Sequence, residues 1–132
     1  METVSAAKRA MFWTEQAEED FQTARIMIKS KRWKYAIFMC QQTLEKSLKA
    51  IYMEKKEEFP PRIHNLFRLS EQIGKELFPE DYLEFFSEIS LYYIQSRYPE
   101  DIEKMAEINN KVKAQEVLQK TEEVMKWLMK MH

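Results

Sequence analysis

Gln41-Gln42-Thr43-Leu44-Glu45-Lys46-Ser47-Leu48-Lys49-Ala50 is the stretch on which the reading of the fold turns. It lies in the longest uninterrupted helical pattern of the chain. Trp33, Ala36, Ile37, Cys40, Leu44, Leu48 and Ile51 recur at spacings of three and four, so they share one face. Gln41, Gln42, Glu45, Lys46 and Lys49 fill the opposite arc within about two turns of ~3.6 residues each. The apolar face must be covered by other helices. The polar arc reads either as a surface that holds a ligand or as a plain exposed pair, Glu45 with Lys49 one turn later, worth about 0.3–0.5 kcal/mol.

Toward the N-terminus, Trp13, Ala17, Phe21, Ala24 and Ile28 make a second stripe, predicting a helix from Ala6 to about Ser30 after a frayed start over Met1 to Ser5. The helix of the quoted stretch is expected from Trp33 to about Lys56. Phe59-Pro60-Pro61 ends it, because proline lacks the amide and disfavours helix in the residue before it. A short helix follows over His64 to Lys75, with Leu66, Leu69, Ile73 and Leu77 as its seam. His64 at its start reads as a capping or packing group rather than a catalyst. Pro79-Glu80-Asp81 marks the next start, and Tyr82, Phe85, Phe86, Ile89 and Tyr92 or Tyr93 line a helix running to Gln95. Ser96 and Pro99 break that pattern, so Arg97 is delivered at the end of an aromatic rod. Residues 102–110 read as a loop with a helical turn. The last helix spans Lys111 to Lys130, with Ala114, Val117, Leu118, Thr121, Met125 and Leu128 inward. The expected fold class is all-α: an antiparallel up-and-down four-helix bundle plus one short helix, a single domain over residues 1–132.

The bulk properties agree. A chain of 132 residues that is 45% hydrophobic builds a core without staples. Its one glycine, Gly74, argues against hairpins and phosphate-cradling glycine loops. A net charge of −1 argues against avid binding to long nucleic acid, which calls for a basic stripe, but leaves room for a local basic patch. Cys40 is the only cysteine, which excludes an intramolecular disulfide and a cysteine-rich zinc site; at an apolar position it reads as a buried small hydrophobe. No metal site and no cofactor are expected. Without a long apolar run or a signal-peptide core, a cytoplasmic location is expected. One bundle of this size has little room for Tyr82, Phe85, Phe86, Tyr92 and Tyr93 all inside, so the surplus rings predict self-association.

Taken in order, Trp13-Thr14-Glu15-Gln16-Ala17-Glu18-Glu19-Asp20, Trp33-Lys34-Tyr35-Ala36, the quoted stretch, His64-Asn65-Leu66 with Leu69, and Ser96-Arg97-Tyr98-Pro99 resemble the HEPN domain, a nucleotide-binding helical module of prokaryotes and eukaryotes. The resemblance covers about Phe12 to Leu128. It implies a helical bundle that pairs into a homodimer. It also implies a small nucleotidyltransferase as partner, the two forming a toxin–antitoxin-like module. Many HEPN relatives are metal-independent ribonucleases. Their signature is an Arg followed, about four to six residues on, by a His, the Arg steadying the scissile phosphate while the His moves the 2′-hydroxyl proton. Arg97 matches the Arg. Ile102, Glu103 and Lys104 stand where the His belongs, and the only histidines are His64 and His132. Glu103 is a conceivable base that nothing in the sequence distinguishes from a solvated acid.

Three functions follow from the resemblance and the residues together. The leading one is a nucleotide- or RNA-binding module without nuclease activity, its phosphate site made by Arg97 with Lys46 or Lys49 and a base platform offered by Tyr93 or Tyr98. The second is an endoribonuclease toxin with Arg97 as a catalytic residue. The third is a purely structural dimerisation and docking module, with the polar arc of the second helix as its docking face.

Overall fold

The computed structural model describes residues 5–95, 97, 98 and 100–131. The expected fraying of residues 1–4, the pattern break at Ser96 and Pro99, and His132 lie outside the described residues. Six α-helices succeed one another: α1 (Ala6–Lys29), α2 (Trp33–Lys56), α3 (Leu66–Gly74), α4 (Glu80–Gln95), α5 (Ile102–Ile108) and α6 (Lys111–Met129), with a 3-10 turn at Lys75–Leu77. The four long helices, α1, α2, α4 and α6, are the bundle expected from the apolar stripes. Two expectations are corrected at its edges. Residues 102–110 contain a helix, α5, started by Asp101, whose side chain accepts from the Lys104 amide, and anchored by buried Ile108. Ser5 is not frayed but caps α1, accepting from the Lys8 amide at 3.2 Å.

α2 is the axis: it packs against every other α-helix. Its partner α1 makes the most extensive of these contacts, because Ala10, Ala17 and Ala24 on α1 and Ala36 and Cys40 on α2 are buried and small, so the backbones approach closely. The α1–α2 connection needs no glycine. Lys31 takes the left-handed conformation (φ 61°), and the amides of Lys31 and Arg32 return to the carbonyls of Ile28 and Met27. That pattern closes the end of α1 and reverses the chain in three residues. Glu57 (φ 54°) does the same for α2 through its amide bond to the Met53 carbonyl. The scarcity of glycine is therefore compatible with tight reversals.

The aromatic surplus is not on the surface. Tyr82, Phe85, Phe86 and Tyr92 are all buried within one chain, and only Tyr93 among the five is half-exposed. Room for them comes from other rings. Trp127 of α6 meets Tyr82 edge to face at 5.4 Å, and Phe78, before α4, meets Phe86 at 6.0 Å in the same manner. The argument for self-association from α4 aromatics is thus overturned. α4 is also clipped to α6: Lys113 Nζ donates to Glu88 at 2.9 Å, beside the Tyr92 hydroxyl, which donates to the same carboxylate at 2.8 Å. Burial pushes the Glu88 carboxyl up, but those two donors outweigh it and hold it below its ordinary value. The clip therefore stabilises the fold at neutral pH and is lost as pH falls through the depressed Glu88 value.

α3 starts later than its apolar seam suggested. Asn65, not His64, is its cap, accepting from the Arg68 amide at 3.1 Å. Leu66, Leu69 and Ile73 are buried as the seam required, whereas Leu77 is exposed because Gly74 (φ 141°) turns the chain off the helix axis. Cys40 is fully buried, and that burial pushes its thiol up to about 12. The thiolate, the reactive form, is scarce at neutral pH. Native protein is expected to leave a chromogenic disulfide reagent unreacted over hours, and to titrate one thiol promptly in denaturant. Prompt native labelling would contradict the buried placement. Among the described residues no helix is long and apolar enough to cross a membrane.

Candidate functional site

The polar arc of α2 is where sequence and structure diverge most. Gln41, Glu45 and Lys49 are buried, at 0%, 5% and 7% exposure. The arc is covered by α1 on one side and by the loop that leads into α3 on the other. That loop is pinned at its last residues. Gln41 Nε2 donates to the His64 carbonyl at 2.7 Å, and the Leu66 amide donates to Ser90 Oγ of α4 at 3.0 Å. His64 is thereby fixed between α2 and α4 by its own backbone and its neighbour's.

Its imidazole turns back onto α2. Nδ1 lies 3.1 Å from both Glu45 carboxylate oxygens. Glu45 Oε2 also accepts from Lys49 Nζ at 3.0 Å, and that ammonium stands 5.7 Å over the Trp13 ring of α1. A carboxylate only accepts, so it holds the hydrogen of a neutral imidazole on Nδ1 and leaves Nε2 with its lone pair. The carboxylate is buried and the imidazole side chain is 56% exposed, so the row Lys49–Glu45–His64 runs from the interior to solvent.

Tyr93 is the meeting point of this row with the end of α4. Phe38 of α2 stacks on its ring at 5.7 Å with planes 16° apart, and the His64 ring lies 5.9 Å away, tilted. Arg97, one turn beyond Tyr93, places its guanidinium carbon 4.7 Å over the same ring and donates from Nη2 to the Tyr93 hydroxyl. Its amide bonds the Ile94 carbonyl at 3.1 Å, which continues the last turn of α4. Among the described residues no carboxylate lies within ion-pair distance of Arg97. The result is an exposed, unneutralised guanidinium and an exposed imidazole, each within 6 Å of one ring centre.

Of the residues expected to form a phosphate and base site, Tyr93 and Arg97 are together, and Tyr98 follows them, 57% exposed, its amide bonded to the Gln95 carbonyl. The lysines are engaged elsewhere. Lys46 Nζ lies 2.6 Å from Asp20 Oδ2 of α1, and Lys49 is committed to Glu45. Lys49 reaches the Arg97 region only through Glu45, His64 and Tyr93, and Lys46 faces α1. The pairing of Glu45 with Lys49 was legible, but its setting is a dry interior and not a wet surface. Glu103 is exposed in the first turn of α5. His64, read from sequence as a cap or packing group, packs on Tyr93 but leaves the cap to Asn65. Its separation from Arg97 along the chain concealed their proximity. Among the described residues no three His, Cys, Asp or Glu side chains converge as a metal set would. A separate groove of about 560 Å³, lined by Phe12, Trp13, Met53 and Phe59 and by Arg9, includes none of Tyr93, Arg97 or His64.

Three comparisons bear on this arrangement. A family model described as the HEPN domain matches residues 10–132. Among solved structures, the chain is similar to the crystal structure of TT1696 from Thermus thermophilus, with a TM-score of 0.79 over 92% of this chain and 97% of that one. The two are 23% identical, which carries the fold from one to the other and nothing finer. No curated protein matches the chain.

Proposed function

Because the chain belongs to the HEPN domain family, we propose that it binds a nucleotide or single-stranded RNA at the end of α4, with Arg97 as the phosphate contact. The observation that carries this reading is the guanidinium held over Tyr93 and left without a carboxylate partner. Its cost of ordering is already met by the stacked ring and the hydroxyl it donates to, which favours binding without further rearrangement. A charge-assisted phosphate contact is worth about 1.5–3 kcal/mol, so a single one gives modest affinity unless a base also stacks. Tyr98 is the ring for that purpose, since Tyr93 already carries Phe38 and Arg97. Lys46 and Lys49, tied into ion pairs, serve by holding α1 and Glu45 in place. The same reading includes homodimerisation and a small nucleotidyltransferase partner in a toxin–antitoxin-like pair. Leu91 and Ile94, each half exposed, and Ile102, 80% exposed, support an apolar contact beside the site in place of the buried aromatics.

Calorimetric titration with ATP and with short single-stranded RNA tests the binding. Arg97→Ala is expected to weaken it by roughly 10–100-fold, the range that one charge-assisted contact spans. No binding by the wild-type protein, or equal binding by the variant, removes the reading. Sedimentation at micromolar concentration and co-purification with a co-expressed nucleotidyltransferase test the two assembly claims.

A further inference from the structure

We propose that His64, oriented by Glu45, is a catalytic proton-transfer residue of the Arg97 site, acting on a phosphodiester that has a neighbouring hydroxyl. The inference rests on the reading of Arg97 as the phosphate contact and adds chemistry to it. Three observations carry it. First, the imidazole has the arrangement of an activated base: Nδ1 is held at 3.1 Å by a buried carboxylate, and the ring's other nitrogen belongs to a side chain 56% exposed. A base whose far nitrogen is fixed by a third group is the recurring geometry of proton transfer. Second, the carboxylate is itself held in place. Glu45 is 5% exposed and bonded by Lys49, and the His64 backbone is fixed by Gln41. A surface histidine that only packs on a tyrosine requires none of this buried support. Third, His64 and Arg97 flank the same Tyr93 ring, so a phosphate on the guanidinium brings an adjacent ribose within reach of the imidazole. The stretch after Arg97 supplies no competing base, because its one acid in the expected window, Glu103, is exposed on α5 without a buried partner.

The step balances without metal or added reactant. The 2′-hydroxyl proton passes to His64 Nε2 as the 2′-oxygen forms a bond to phosphorus. The bond from phosphorus to the 5′-oxygen breaks, and that oxygen takes a proton from solvent water. His64 then returns its proton to solvent. The products are a 2′,3′-cyclic phosphate and a 5′-hydroxyl. Arg97 neutralises the charge that grows on the phosphoryl oxygens. Glu45 is a positioning residue, since it touches His64 and not the substrate.

The experiment uses the full chain, end-labelled single-stranded RNA and excess chelator, scored for cyclic-phosphate ends. Binding is measured in parallel on a 2′-O-methyl RNA, which offers no nucleophile. Wild type is expected to cleave. His64→Ala is expected to lose roughly 10²–10⁴-fold in rate while binding the methylated RNA as wild type does. Added imidazole is expected to restore part of that loss, a rescue that a packing role would not give. Glu45→Gln is expected to lower kcat with little change in KM, and a thermal melt shows whether it folds. Because His64 is exposed, its variant keeps the core and serves if Glu45→Gln does not. If wild type binds the methylated RNA through Arg97 yet yields no cyclic ends, the proton-transfer role is overturned and the binding reading stands. Cleavage undiminished in His64→Ala, or lost without imidazole rescue, also overturns it. Absence of binding by wild type removes both.

Discussion

Lys49→Met is expected to destabilise the protein by about 3–5 kcal/mol, the cost of leaving a buried carboxylate without its partner. The alternative value is set by the exposed case: a solvated Glu–Lys pair one turn apart is worth about 0.3–0.5 kcal/mol. The two settings differ by an order of magnitude, and burial chooses between them. The side chains of Lys49 and Glu45 are 9% and 7% exposed, and the ammonium also lies over Trp13. Removing the lysine strands Glu45 with only His64 beside it. Methionine retains the stem's volume, so the loss reports charge rather than a cavity. Glu45→Gln combined with Lys49→Met removes both charges together and is expected to recover most of the loss, because a neutral pair has little desolvation to offset. Urea unfolding of wild type, both single variants and the double variant forms the cycle. A loss below about 1 kcal/mol for Lys49→Met would place the pair in water after all.

The same pair shows how far the sequence can be read. Apolar spacing locates α1, α2, α4 and α6 to within a residue or two, since periodicity depends only on which side chains must leave water. It also identifies Leu44, Leu48 and Ile51 as buried. It fails for the opposite arc, because polar character suggests exposure. α2 is surrounded, so its polar residues are buried too and must satisfy one another: Glu45 with Lys49 and His64, Gln41 with the loop carbonyl. No local pattern announces that a helix is central. α5 is hidden for a different reason, its seven residues being too few for a stripe, although the Asp101 cap is in plain view. At the site, Tyr93 and Arg97 are legible because both belong to α4 or its end. His64 is not, because it arrives on a loop whose path is set by Gln41 and Ser90, contacts across the fold that spacing does not encode.

Phe86→Ala tests whether the scaffold and the site are separable. Phe86 is fully buried, meeting Phe78 edge to face and Phe85 at 6.5 Å. Truncation of a ring so enclosed is expected to cost about 3–5 kcal/mol, the transfer of its carbons plus the void they leave. For a domain of this size that corresponds to a drop in Tm of roughly 10–20 °C. The void lies about two turns, ~10 Å, before Tyr93 on α4. The end of α4 is secured independently: Tyr93 stacks on Phe38 of α2, and Glu88 and Tyr92 are clipped by Lys113 of α6. Well below its lowered Tm, the variant is therefore expected to keep Arg97-dependent binding within about threefold of wild type, under 1 kcal/mol. Affinity falling in proportion to stability would show instead that Arg97 is positioned by the aromatic core as a whole, with the local contacts at Tyr93 insufficient to hold it. A melt followed by circular dichroism, with calorimetry at a temperature where the variant remains folded, separates these outcomes.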